Sequence, residues 1–250
     1  MAKRTALTLV AAAMAFVALP ASGASASHHR ALPTGANCVL PPSKPMPPPG
    51  DFVPVVDNRY FPLPPGTTLL YRGFEERDQV RDVVTVTHRT RMIVGVRATV
   101  VLDMVWLNGR PSEKTFDWYA QDKQGDVWYL GEAAFDRVHH RWVRAPDSWE
   151  AGRHGAKAGL IMEAHPKIGD AYRQEFSRGN AEDMGRVLRT QASVSVPYGS
   201  FRHVLKTREC SPLEQGVIDH KYYARGVGEV RETTVAGGSA DLELVSIRHE

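Results

Sequence analysis

The chain lacks the short patterns that usually announce a reaction. Its 250 residues hold two cysteines and no C-x-x-C pair, no H-E-x-x-H and no G-x-S-x-G. Zinc and iron–sulfur cages, metalloprotease helices and nucleophile elbows therefore have no sequence support. Ten histidines are present but scattered. On a strand, His139-His140 would point to opposite faces. Glu163 and His165 would share a strand face, but no third ligand lies near them. Ser200 and His203 are close in sequence, which is not geometry. Glu175, Glu182 and Asp183 surround the turn Arg178-Gly179-Asn180, and carboxyls at a turn normally face solvent rather than opposing each other across a glycan. No catalytic residue, metal ligand or cofactor is assigned on these grounds. Beyond residue 26 no apolar run approaches about 18 residues, so no transmembrane span is expected.

A strong excess of either charge is also lacking. Lys and Arg number 31 against 28 Asp and Glu. Without residues 1–26 the balance is 29 against 28, because Lys3 and Arg4 go and no acid goes with them. Nor does a basic cluster interleave with aromatics, so a nucleic-acid partner is not expected.

What is present begins with an address. Lys3 and Arg4 precede an uncharged, mostly apolar run from Ala6 to Leu19, and Ala24-Ser25-Ala26 is a small-x-small site. This is the pattern of a secretory signal peptide cleaved near Ala26, with no lipobox cysteine at the cleavage point. A secreted protein is expected. In that oxidising setting the pair Cys38 and Cys210 reads as a disulfide.

Residues 27–50 form a Pro-rich arm. Pro41 to Gly50 reads as polyproline II, a tether or a strap. Residues 51–250 form one domain whose pattern is strands and turns. Ala98 to Leu107 places Val100, Leu102, Met104 and Trp106 on one face. The other holds Val101, Val105 and Leu107, broken only by Asp103. Asn108-Gly109 follows as a type I′ hairpin turn, since both residues tolerate positive φ. The return strand, Thr115 to Gln121, is read with Phe116, Trp118 and Ala120 facing inward. Val127 to Gly131 comes next. Residues 146–170 are punctuated by Gly and Pro and read as a long irregular loop, with at most a helical turn over Gly159 to Ala164. Ala171 to Phe176, Leu188 to Val196, Phe201 to Cys210, Gly216 to Ala224, Gly228 to Val235 and Ala240 to Ile247 continue the strands. About eleven strands in sequential hairpins predict an all-β, antiparallel up-and-down meander, curled into an open or closed barrel.

From about Val56 to Ile247 the chain resembles a family of exported bacterial proteins for which no activity is known. The segments that carry the likeness include Asp57 to Leu63, Asp117-Trp118-Tyr119-Ala120-Gln121-Asp122, Val127-Trp128-Tyr129-Leu130-Gly131-Glu132, Trp149-Glu150-Ala151-Gly152 and His220-Lys221-Tyr222-Tyr223-Ala224. Similar proteins often carry an acid after the Gly-Glu pair, where this chain has Ala133. The ending Tyr223-x-x-Gly226-Val227-Gly228 is also similar to curled sheets of the half-barrel lipoprotein-carrier type. The resemblance implies a β-rich exported domain and no chemistry.

Rings are the most suggestive residues. Trp118-Tyr119 and Trp128-Tyr129 sit on adjacent strands, so each pair offers one ring to either face. With Glu132, Tyr172 and Glu175 they outline a candidate cleft for a small molecule, a glycan or a lipid. The same rings would equally serve as core. The leading expectation is a secreted, non-enzymatic ligand-binding domain. The rivals are a hydrolase acting on carbohydrate or cell-wall material and a purely structural module stapled by its disulfide. Oligomeric state is not legible.

Overall fold

The computed structural model describes residues 38–250, so the signal-peptide reading falls outside the described residues. A 3-10 turn at Pro49–Asp51 leads into three two-residue strands, β1 (Phe52–Val53), β2 (Asp57–Asn58) and β3 (Phe61–Pro62). Five long strands follow: β4 (Thr67–Glu75), β5 (Asp78–Ile93), β6 (Val96–Leu107), β7 (Arg110–Asp122) and β8 (Val127–Val138). Shorter pieces come next: β9 (Arg141–Arg144), β10 (Trp149–Glu150), β11 (Lys157–Met162), β12 (Ala171–Arg173) and β13 (Glu175–Phe176). The chain ends with β14 (Met184–Val196), β15 (Gly199–Cys210), β16 (Ile218–Ala224), β17 (Gly228–Ala236) and β18 (Ala240–His249).

Thirteen of these strands form one continuous antiparallel path, β12-β14-β15-β16-β17-β18-β4-β5-β6-β7-β8-β11-β13. The sheet is nearly closed into a barrel, as the alternation and turn spacing predict. Asn108 and Gly109 adopt φ of 49° and 76° and join β6 to β7 as a hairpin.

The closing seam was not legible. Ala171 to Phe176 reads as one strand, yet it serves two edges. Tyr172 pairs with Gly185 on β14, and Glu175 pairs with Ala158 on β11. Only Gln174 separates the two pairings. The neighbouring β11 replaces the expected helical turn, and β10 and β11 both pair with β8. The stretch 146–170 is thus partly strand, because β8 would otherwise present an open edge. His139 and His140 lie in the β8–β9 turn, at φ of 46° and 63°, and not on a strand.

The arm is a strap. Cys38 and Cys210 form the expected disulfide, with Cα atoms 5.7 Å apart. Arg173 Nε donates to the Pro41 carbonyl, Lys44 pairs with Asp126, and Met46 packs on the core. The bond spans 172 residues of sequence, so the loop-closure argument allows it at most about 5 kcal/mol. A Cys38→Ser/Cys210→Ser variant should lose up to that amount in equilibrium denaturation and become protease-sensitive within residues 41–50. Its β-rich circular dichroism should be unchanged. An unchanged denaturation midpoint would show that the strap is held by its other contacts.

Candidate functional site

The inner wall is polar. Along β7 the buried residues Glu113, Thr115, Asp117 and Tyr119 alternate with half-buried Lys114 and Phe116. Sequence patterning points Phe116 and Trp118 inward. The structure turns them outward, where the Arg91 guanidinium lies 4.3 Å above the Trp118 ring. On β6 it is likewise the face broken by Asp103 that lies inside, while Leu102, Met104 and Trp106 are half-buried outside.

A bulge then builds the site. Asp117 pairs with Glu132, and Tyr119 pairs with Tyr129, so Leu130 and Gly131 together oppose Trp118. The extra residue reverses the parity of β8. Tyr129 and Glu132, which simple alternation would separate, both point inward. The Tyr129 hydroxyl lies 2.7 Å from Asp117 Oδ1 and 2.7 Å from Glu132 Oε2. Gly131 is required here: its φ is 131°, and a Cβ would stand 2.4 Å from the Trp149 carbonyl oxygen.

Rings and acids alternate through this cluster. Tyr119 stacks on Tyr129 with centroids 4.8 Å apart, Phe61 meets Tyr119 edge-on, and Trp149 meets Tyr129 edge-on. Trp149 Nε1 donates to Glu175 Oε2 at 2.8 Å. Asp117, Tyr119, Tyr129, Glu132, Trp149 and Glu175 are all buried. Burial is the main force raising the Glu132 carboxyl well above its ordinary range, with Glu175 and Asp117 adding to it. Burial also raises Glu175, aided by Asp183. For Asp117 burial again leads, followed by Asp103, against the Tyr129 hydrogen bond.

A second acidic group lies farther round the wall, where β17 repeats the device. Tyr222 pairs with Arg231 and Tyr223 with Glu229, so Val230 is the extra residue and both Glu229 and Glu232 reach Lys221. Lys221 Nζ is 3.4 Å from Glu209, 3.9 Å from Glu229 and 3.7 Å from Glu232. Asp82 and Asp103 face each other with no N–H or O–H of another residue at either carboxyl, so their contact is a hydrogen bond only when one of them carries a proton.

Of the seven ring and carboxyl positions singled out by sequence, Tyr119, Tyr129, Glu132 and Glu175 come together. Trp118 is outside. Trp128 pairs with Ala120, also on the outer side, where its N–H donates to Asp122 at 2.8 Å and Lys44 of the strap lies over its ring. Tyr172 is buried on the β14 side of the seam, where Glu209, Glu163 and Asp170 are its charged neighbours. Trp149 and Asp117 complete the cluster. Both are visible in the sequence, but nothing local there places them opposite Glu175 and Tyr129.

Other groups weighed from sequence do not assemble. Ser200 hydrogen-bonds Ser195, and the exposed His203 contacts Gln191. Among the described residues no three His, Cys, Asp or Glu side chains are placed to hold a metal ion. A cleft of about 490 Å³ lies between the strap and the β10–β11 turn, lined by Lys44, Met46, Val94, Ala151 and Lys157 among others. None of the sequence-selected site residues lines it.

No family model and no curated protein matches the chain. A solved structure described as a "putative lipoprotein" from Parabacteroides distasonis ATCC 8503 is similar at 12% identity, with a TM-score of 0.42, covering 76% of this chain and 99% of that one.

Proposed function

We propose that the protein is a non-enzymatic binding module whose inner-wall cluster takes a small organic cation. One observation carries this reading. Asp117 Oδ2, Tyr119 OH and Glu175 Oε1 are buried and lack a hydrogen-bond partner in the protein. Among the described residues no Lys or Arg forms an ion pair with Asp117, Glu132 or Glu175. Carboxylates supply charge to an ammonium group, and stacked tyrosines with an edge-on tryptophan supply the π-faces it prefers. The second acidic group has Lys221 for this purpose, whereas this one has no resident cation. Buried acids are unfavourable company for an acyl chain, so a lipid fits poorly. The seam is the natural way in, because Glu175 sits on a two-residue strand and Tyr172 on a three-residue one.

Calorimetric titration with choline, spermidine and a neutral oligosaccharide tests the reading. Choline or spermidine should bind, and Glu132→Gln and Glu175→Gln should each weaken that binding roughly tenfold, as expected for loss of one desolvated charge partner. Trp118→Ala, altered on the outer face, should leave it unchanged. Cation binding that survives both glutamine variants would refute the site.

A second reading has its own support. Neighbouring buried carboxyls beside aromatic rings are also what a glycoside-cleaving enzyme uses for its acid and its nucleophile. Oligosaccharide cleavage abolished in both glutamine variants would establish that reading in place of the first.

A further inference from the structure

The near-neutral composition conceals a one-sided exterior. Residues 38–250 hold 28 Lys and Arg and all 28 acids. Twelve of those acids are buried, against one of the cations, Lys221. The exterior therefore presents 27 cations and 16 carboxyls, a balance hidden from any sum over the sequence.

The outer face of β5 to β9 is where this excess meets apolar surface. The ladder sets Arg81 opposite Trp106, Met104 opposite Lys114, Leu102 opposite Phe116, and Arg137 opposite Trp142. Lys114 lies within 5.0 Å of the Phe135 and Trp142 ring centroids, and Arg81 is 4.3 Å from that of Trp106. Four acids of these strands, Asp82, Asp103, Glu113 and Asp117, point the other way and are buried inside, and Asp122, at the far end of β7, is taken up by the Trp128 N–H. Trp106, Phe116, Phe135 and Trp142 stay half-buried on this face.

We infer that this face docks on an anionic phospholipid surface. Cations alone would suit any polyanion. Leu102, Met104 and Val83 have nothing to offer a phosphate or sugar backbone, but they fit the boundary between headgroups and acyl chains. Tryptophans beside Arg and Lys are at home at that same depth. Each Lys or Arg near such a surface contributes roughly fivefold in affinity, so two reversals should be plainly visible.

Sedimentation with vesicles tests the assignment, using the chain with its disulfide intact. Phosphatidylcholine vesicles containing phosphatidylglycerol should bring the protein down, and pure phosphatidylcholine vesicles should bind it far less. Lys114→Glu/Arg137→Glu should lower anionic-vesicle binding roughly tenfold or more. Arg189→Glu/Arg202→Glu, on the exposed side of β14 and β15 across the barrel, should retain it. Trp142→Ser should weaken binding without changing the circular dichroism. Equal losses from both charge reversals, or no sedimentation of the wild type, would overturn the face. Soluble heparin bound as well as vesicles, with Trp142→Ser without effect, would overturn the bilayer as partner and leave a general polyanion site.

Discussion

Stability should fall as pH rises from 5 to 8, contrary to the usual behaviour of a protein rich in paired carboxylates. Burial, aided by Asp103, pushes Glu113 up to about 8. Burial pushes Glu232 up to about 8 against the pull of Lys221, and Asp103 to about 6. A carboxyl whose folded pKa lies above its unfolded value near 4 binds its proton more tightly in the folded chain. Its contribution is full below about pH 4 and is lost as pH climbs through the folded values, here about 6 to 8. Burial pulls Lys221 down, but the surrounding glutamates hold it well above its ordinary value, so it keeps its proton throughout this window. Each pKa unit corresponds to about 1.4 kcal/mol, and three or more groups act together, so a decrease in Tm on the order of 10 °C between pH 5 and pH 8 is expected. Thermal melts across that range check it. Glu132→Gln should flatten the fall, because it removes one proton that the folded chain must otherwise keep. A maximum near pH 8 would mean that the inner acids are ionised and compensated by something bound between them. That result would itself point to the cation proposed for the cluster.

Gly159→Ala should open the seam of the barrel through a single added methyl. A Cβ at Gly159 would stand 2.1 Å from the Gln174 carbonyl oxygen and 2.5 Å from the Glu175 nitrogen. Both atoms are backbone of the closing seam and cannot rotate aside. The segment must move off β11, and Glu175 then leaves Trp149. Overpacking against fixed backbone costs about 3 kcal/mol or more. Gly109→Ala makes the comparison fair. That glycine, unlike Gly159, has positive φ, 76°, but its Cβ would meet nothing within 4 Å, so only the backbone cost of about 1 kcal/mol applies. Denaturation of the two variants should separate them clearly. Hydrogen exchange should show protection lost around residues 158 and 175 in Gly159→Ala alone. Equal stabilities would mean that the seam is not part of the cooperative unit.

Alternation revealed the strands and hid their orientation. Residues 113–121 have period two, and that suffices to name a strand. Which face turns inward is a separate question, usually answered by hydrophobicity. Here that answer is reversed, because Trp118 and Trp128 are covered from outside by Arg91 and by the strap, while Asp117 and Tyr119 face a polar interior. A search for acids repeating on one strand face, such as Glu113 with Asp117, would have signalled the inner wall. The bulges at Leu130-Gly131 and Val230 carry no such signal. A bulge depends on what the partner strand and the next layer demand, and for Gly131 that layer is the Trp149 backbone.

The β class, the Asn108-Gly109 hairpin and the pairing of Cys38 with Cys210 follow from the order of residues alone. These rest on local periodicity, on turn residues that tolerate positive φ, and on a cysteine count with a single intramolecular solution. Folding in three dimensions adds that one six-residue segment closes both edges of the sheet, that two bulges reverse parity, and that most of the buried charge is negative. Those outcomes depend on contacts between residues far apart in the chain. Burial then raises the inner carboxyls because their surroundings, and not their neighbours in sequence, set the cost of ionising them.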